Sequence, residues 1–420
     1  MLSRKLAIAA LALPFLAGCI SDEKIGSPPA AAGGAMFSNY MALGTSIGAG
    51  IQSGGINDST QKQAYPTLLA TAMGLTPGVN WFYPSFNAPG CPPPYTNPLT
   101  GARVGSGTST TCAVENPAYA RPYQNNLGVP SIRAAQVLKI TDLTFAKTDS
   151  LFLAQFITGG RNPIDIVLAA KPTFVTIEIG ANDVLGAGTR SDTTLLTTLA
   201  NFQKQDSVLM DTVALTGAKV AVANLPAWQA IPYFTQGVVF FCLATGAPGC
   251  PVPATAPYSL PTFTVDLSCA PSASGGVGDS MLVTFPATAA MTGALAAGAT
   301  ASLNCGTGVA LANGAAAGLT LVKPKMKALV TRFNAINAFI AAQATARGWA
   351  LADLNAAYLT ALGTGKIASF PDFTHPTTTL FGADISLDGI HPNAAGAKLI
   401  ANTFIAAINS KYGSSLVAIP

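Results

Sequence analysis

Along this chain of 420 residues, short apolar runs alternate with longer stretches of helical spacing. Residues 40–43 form an apolar run that ends at Gly44, and residues 63–73 repeat apolar positions at helical spacing and close at Gly74. A β-branched run, 173–179, lies between Pro172 and Gly180, and another apolar run, 219–225, is stopped by Pro226. Helical patterns over 193–215 and 325–347 are followed by Gly217 and Gly348. A strand-like run, 349–354, and a final helical pattern, 393–409, complete the series. Strands that alternate with helices predict an α/β fold with a parallel sheet covered on both faces.

Two regions break this pattern. Residues 84–125 are rich in Pro, Gly, Thr and Asn, and residues 227–322 in Ala, Gly, Pro and Thr. With them set aside, residues 37–420 read as one domain carrying two insertions. Insertions after the strands of an open α/β sheet lie near its ligand crevice. Residues 227–322 are therefore expected to form either a lid beside a site or a peripheral decoration. Trp228, Tyr233, Phe234, Phe240 and Phe241 are candidates for an acyl pocket beneath it, or for a small core of its own.

The N-terminus is of a different kind. Arg4 and Lys5 precede an apolar run, in the form of a secretory signal. Leu16-Ala17-Gly18-Cys19 resembles a bacterial lipobox, which implies cleavage after residue 18 and lipid on Cys19. With Ile20 rather than Asp next, that resemblance points to the outer membrane of a Gram-negative bacterium. Residues 19–36, made of Ser, Pro, Ala and Gly with a few charges, read as a flexible tether. Loss of Arg4 and Lys5 lowers the net charge from +4 to +2, and no basic patch marks a nucleic-acid partner. Six cysteines remain beyond Cys19, an even set that in an exported protein reads as disulfides. Sequence-local pairing would join Cys91 to Cys112, Cys242 to Cys250 and Cys269 to Cys305, one of the 15 pairings open to six cysteines. No Cys/His spacing of zinc type is present, so neither a metal nor another cofactor is expected.

The candidate chemistry lies in three short segments. Ser46 follows a strand-like run and Gly44, with Gly48 and Gly50 beyond it, so a strand-to-loop corner would expose its hydroxyl. Asn182, in Gly180-Ala181-Asn182-Asp183, follows the 173–179 strand, where an amide can meet a developing oxyanion or cap a helix. The chain has two histidines. His391 stands in Asp388-Gly389-Ile390-His391-Pro392, a spacing that lets the carboxylate accept from Nδ1–H and leaves Nε2 for a serine. Pro392 suits the first turn of the last helix. His375, in Asp372-Phe373-Thr374-His375-Pro376, imitates that spacing without a helical pattern after it, and His391 is preferred. Asp183 is expected to support the Asn182 loop.

Taken in order, the segments resemble the blocks of the SGNH (GDSL-type) hydrolase superfamily. Tyr40-Met41-Ala42-Leu43-Gly44-Thr45-Ser46 is similar to its nucleophile block, Ile179-Gly180-Ala181-Asn182-Asp183 to its Gly-x-Asn-Asp block, and Asp388-Gly389-Ile390-His391-Pro392 to its Asp-x-x-His-Pro block. Val222-Ala223-Asn224-Leu225-Pro226 resembles a weaker strand-end segment. The resemblance spans the chain beyond the tether apart from the two insertions. It implies a flavodoxin-like three-layer α/β/α sandwich, and ester hydrolysis with Ser46 as nucleophile, His391 as base and Asp388 as its partner. It also implies an oxyanion hole from the Ser46 and Ser131 backbone N–H groups and the Asn182 side chain. Two positions depart from the family: Thr45 replaces the aspartate before the nucleophile, and Ser131 falls at a glycine, with Gly128 the candidate if that block is shifted. The expected substrate is a small-molecule or lipid ester, met by a protein held to the membrane by its lipid. The rival readings are a carbohydrate O-deacetylase and an inactive envelope-binding lipoprotein.

Overall fold

Five parallel strands form the central sheet: β1 (Tyr40–Gly44), β2 (Asn126–Gly128), β3 (Phe174–Glu178), β4 (Lys219–Ala223) and β5 (Ala350–Ala352). Their spatial order is β2-β1-β3-β4-β5. The structure is a computed structural model that describes residues 34–114, 124–140, 148–246, 264–311 and 320–420. The signal segment, Cys19 and nearly all of the tether lie outside these residues.

Alternate residues of each strand face opposite layers, because successive side chains in a strand point to opposite sides. Met41 and Leu43 of β1, Val175 and Ile177 of β3, and Val220 and Val222 of β4 pack into one core. Tyr40, Ala42, Phe174, Ala221 and Ala223 pack into the other. The helices divide accordingly. A short helix, α1 (Ser46–Ala49), follows β1, and α2 (Tyr65–Ala72) lies beyond a further short helix at Asp58–Gln63. Then come α3 (Pro163–Ala170), α4 (Asn182–Thr189), α5 (Leu199–Ala214), α6 (Lys323–Arg347), α7 (Leu354–Gly363) and α8 (Ala394–Tyr412). Helices α3, α5 and α6 bury Ile166, Phe202, Leu209, Phe333 and Ile340 against the first face. Helices α2, α7 and α8 bury Leu69, Tyr358, Ile400 and Phe404 against the second. This is the three-layer α/β/α sandwich with a flavodoxin-like strand order.

Several boundaries differ from the sequence reading. The 193–215 pattern divides into a single-turn helix at Thr193–Leu195 and α5, whose N-terminus is capped by the Thr198 side chain accepting from Asn201 N–H. The final helix starts at Ala394, because the Asn393 side chain accepts from the N–H groups of Ala395 and Gly396. Pro392 therefore precedes the cap, paired in an isolated bridge with Ile385.

Both insertions contain ordered structure. Cys91 and Cys112 are joined in the first, and Cys269 and Cys305 in the second. Cys250, the expected partner of Cys242, lies outside the described residues. Two three-stranded sheets form in the second insertion. Their own core holds Phe240, Val283, Leu303 and the Cys269–Cys305 bridge. Disulfides persist in oxidising compartments and fit an exported chain. Among the described residues no helix is long and apolar enough to cross a membrane.

Candidate active site

The site segments converge on the carboxyl edge of the sheet, because each follows a strand end. Ser46 comes two residues after β1, Ser131 three after β2 and Asn182 four after β3. The strand order reverses between β1 and β3, the place where open α/β sheets leave a crevice. The loop before α8 brings Asp388 and His391 to the same edge.

Ser46, His391 and Asp388 form a continuous hydrogen-bonded chain. His391 Nε2 lies 2.8 Å from Ser46 Oγ, and His391 Nδ1 lies 2.8 Å from Asp388 Oδ2. The Asp388 Oδ1 atom accepts from the N–H groups of Ile390 and His391, at 2.9 and 2.8 Å. Its Oδ2 also accepts from Gly54 N–H at 2.6 Å. Burial pushes the Asp388 carboxyl up, but the His391 charge and these donors overturn that and hold it at about 2. Asp388 is therefore ionised at neutral pH and fixes the imidazole with Nδ1–H toward itself.

Ser131 and Asn182 line the same cleft as Ser46 and His391, a cavity of about 310 Å³. Ser131 has φ +65°, a left-handed conformation that a glycine adopts without strain. The Asn182 Nδ2 atom donates to Ile132 O at 2.9 Å, which orients the amide, and a primary amide has a second N–H. Gly128 has a different duty. A Cβ there would sit 2.2 Å from Ala49 N, so the glycine lets β2 pack against α1. Asp183 is buried; its Oδ2 accepts from Ala134 N–H at 3.2 Å and its backbone O accepts from Thr197 N–H, bracing the Ser131 and Asn182 loops.

His375 is drawn apart from this group. Its Nδ1 lies 2.7 Å from Asp372 Oδ2, so it reproduces the carboxylate–imidazole pair, but the side chain is 60% exposed. The insertion aromatics also separate. Trp228 and Phe234 line a narrow apolar cavity of about 50 Å³ with Ile47, Val184, Phe333 and Ile390, whereas Phe240 and Phe241 pack in the insertion's own core. Tyr233 N–H donates to Gly389 O, tying the start of the insertion to the His391 loop.

The feature absent from the sequence reading is Glu178. Registry places it opposite Gly44 at the end of β3, buried beneath the loop that carries Ser46. Thr45 N–H donates to it at 2.9 Å, and Thr45 Oγ1 lies 2.9 Å from both carboxylate oxygens. Burial lifts Glu178 to about 7 against the Thr45 bonds, the Gly48 N–H and the His391 charge. A lone acid inside the apolar run 173–179 was the available signal. Among the described residues no three His, Cys, Asp or Glu side chains cluster as metal ligands would.

No protein-family model and no curated protein matches the chain. Among solved structures, the chain is similar to that of LAE5, an alpha/beta hydrolase enzyme from the metagenome of Lake Arreo, Spain. The identity is 14%, over 91% of this chain and 97% of that one, with a TM-score of 0.38, too loose a likeness to bear on function.

Proposed function

We propose that this chain is a serine hydrolase of carboxylic esters, of the SGNH (GDSL-type) kind, exported and held to a bacterial envelope by lipid on Cys19. The observation that carries the reading is the relay from Ser46 Oγ through His391 to Asp388, with 2.8 Å at each step. It stands beside a narrow apolar cavity that fits the first carbons of an acyl group.

In this mechanism Ser46 Oγ attacks the ester carbonyl carbon as its proton passes to His391 Nε2. The C–O bond to the alcohol then breaks, and the alcohol leaves with that proton. Water adds to the acyl-Ser46 ester by the same route, and the acid departs as Ser46 regains its proton. Asp388, ionised and held by backbone N–H groups, stabilises the imidazolium. The N–H groups of Ser46 and Ser131 and the second amide N–H of Asn182 receive the oxyanion. Loss of one such donor costs about 10²–10³ in turnover.

Labelling with an alkyl organophosphonate tests this reading. Wild-type protein should gain one adduct and lose p-nitrophenyl ester hydrolysis, and Ser46→Ala should gain none. Equal labelling of Ser46→Ala would overturn the assignment.

A further inference from the structure

The cleft that holds Ser46 and His391 also holds two of the chain's few cations, Arg133 and Arg190, and none of its lining residues is acidic. They meet along one face of α4: Arg190 stands at its C-terminal end, and Arg133 reaches it from the loop after β2. Asn182 starts that face beside the nucleophile; Gly186 follows one turn on, with the Arg133 guanidinium 3.7 Å from where a Cβ at Gly186 would stand. Arg190 closes the helix as its C-cap residue. Eight residues of helix place Arg190 about 12 Å from Asn182 along the axis. Burial lowers the Arg133 guanidinium, the Asp183 carboxylate behind it opposes this, and the Arg190 charge adds a smaller lowering, so the two cations feel one another. Asp192, the acid nearest to Arg190 in sequence, is turned to the N–H and hydroxyl of Thr194. Like charges brought together in a cleft suit an anion more than a neutral group.

The apolar cavity meets this cleft at Leu185 and Ile390, which line both. Ile390 directly precedes His391, so the meeting point is beside the reacting atoms. An ester carbonyl placed at Ser46 therefore has an apolar channel on one side and a cationic path on the other.

We propose that the substrate is an amphiphilic ester whose acyl chain enters the apolar cavity and whose alcohol carries a phosphate or carboxylate against Arg133 and Arg190. This rests on the ester-hydrolase reading above and names the substrate class of that site.

The test compares kcat/KM for three soluble octanoyl esters: of glycerol 3-phosphate, of glyceric acid and of glycerol. The better anionic ester should exceed the neutral one about tenfold at low salt, with the preference shrinking as salt rises. The faster of the two anionic esters identifies the group. R190Q should lower the preference several-fold, mainly through KM, whereas K204Q, an exposed charge outside the cleft, should not. A preference of one or less, or equal effects of R190Q and K204Q, would overturn the proposal. If no ester is turned over, the hydrolase reading fails, and the anion site is read separately by calorimetry. Octyl phosphate should then bind wild type at least tenfold more tightly than octyl glucoside, and R190Q should erase that difference; equal binding overturns it.

Discussion

Thr45 holds Glu178 with its backbone N–H and its hydroxyl at once, across 133 residues of sequence. The family resemblance leads one to expect a carboxylate at position 45 itself. Here the carboxylate comes from the neighbouring strand, and a threonine reaches it. An aspartate at 45 would put two carboxylates together in a buried site, where both cannot remain charged cheaply. T45D alone should therefore be the most damaging change at this position, and T45D/E178Q should recover much of the loss. T45V, which removes the hydroxyl but keeps the N–H, should cost about 1–3 kcal/mol in denaturant unfolding. Ester turnover and unfolding of wild type, T45D, E178Q and T45D/E178Q form a double-mutant cycle, in which additive effects would refute the coupling.

The same carboxylate gives a pH signature to stability. Its value in the folded chain is about 7 against an ordinary 4.5. The folded state therefore keeps this proton where the unfolded state has lost it. The associated stability is complete below about pH 4.5 and is lost as pH rises through 7, on the order of 3 kcal/mol. Asp206, raised to about 7 mainly by burial, acts in the same sense. Asp388 acts in the opposite one, its contribution fading only as pH falls below 3.8 through about 2. Thermal melts from pH 5 to 8 should show stability declining, and E178Q should make that decline shallower. An unchanged slope in E178Q would show that Glu178 is already ionised at pH 5.

The relay predicts a steep and uneven response to mutation. S46A and H391A should each lower kcat by about 10⁴ or more, and combining them should add little, since the residues act as one unit. D388N should cost about 10⁴ by favouring the wrong imidazole tautomer. H375A is the matched control, because the His375 imidazole is exposed and stands outside the Ser46 relay. It should leave turnover unchanged and alter stability by under about 0.5 kcal/mol.

Ser131 carries a backbone conformation that glycine adopts freely. Its side chain is exposed, so little packing is lost by removing it. S131G should preserve turnover and change stability by about 1 kcal/mol or less. Relief of φ strain favours the folded state, while added freedom favours the unfolded one. S131P should abolish turnover, since proline cannot reach φ +65° and removes the N–H assigned to the oxyanion.

Ser46, Asn182 and His391 are legible in the sequence because each sits in a short segment whose spacing carries its own chemistry. The parallel sheet is legible for a similar reason: β1, β3 and β4 are apolar runs bounded by glycine or proline. Helices α3 and α7 escape the same reasoning. Pro163-Ile164-Asp165-Ile166-Val167-Leu168 is almost wholly apolar, so it has no polar face to reveal a helical period. The insertion sheets escape because their strands are two to four residues long, too short for an alternating pattern. Glu178 escapes because its meaning depends on strand registry. Nothing local to 173–179 states that Gly44 will lie opposite it.

The bond from Gly54 N–H to Asp388 has a companion pair close by. Ser53 N–H donates to Ser386 Oγ, and Leu387 N–H donates to Ser53 Oγ. These stitches join the segment that follows Ser46 to the loop that carries Asp388 and His391. Ser46 and His391 stand 345 residues apart, so the histidine is made long after the serine. A chain still emerging from a ribosome holds Ser46 without its hydrogen-bond partner His391. The relay is thus timed by synthesis as well as shaped by the fold: it closes only after both of these distant loops have been made.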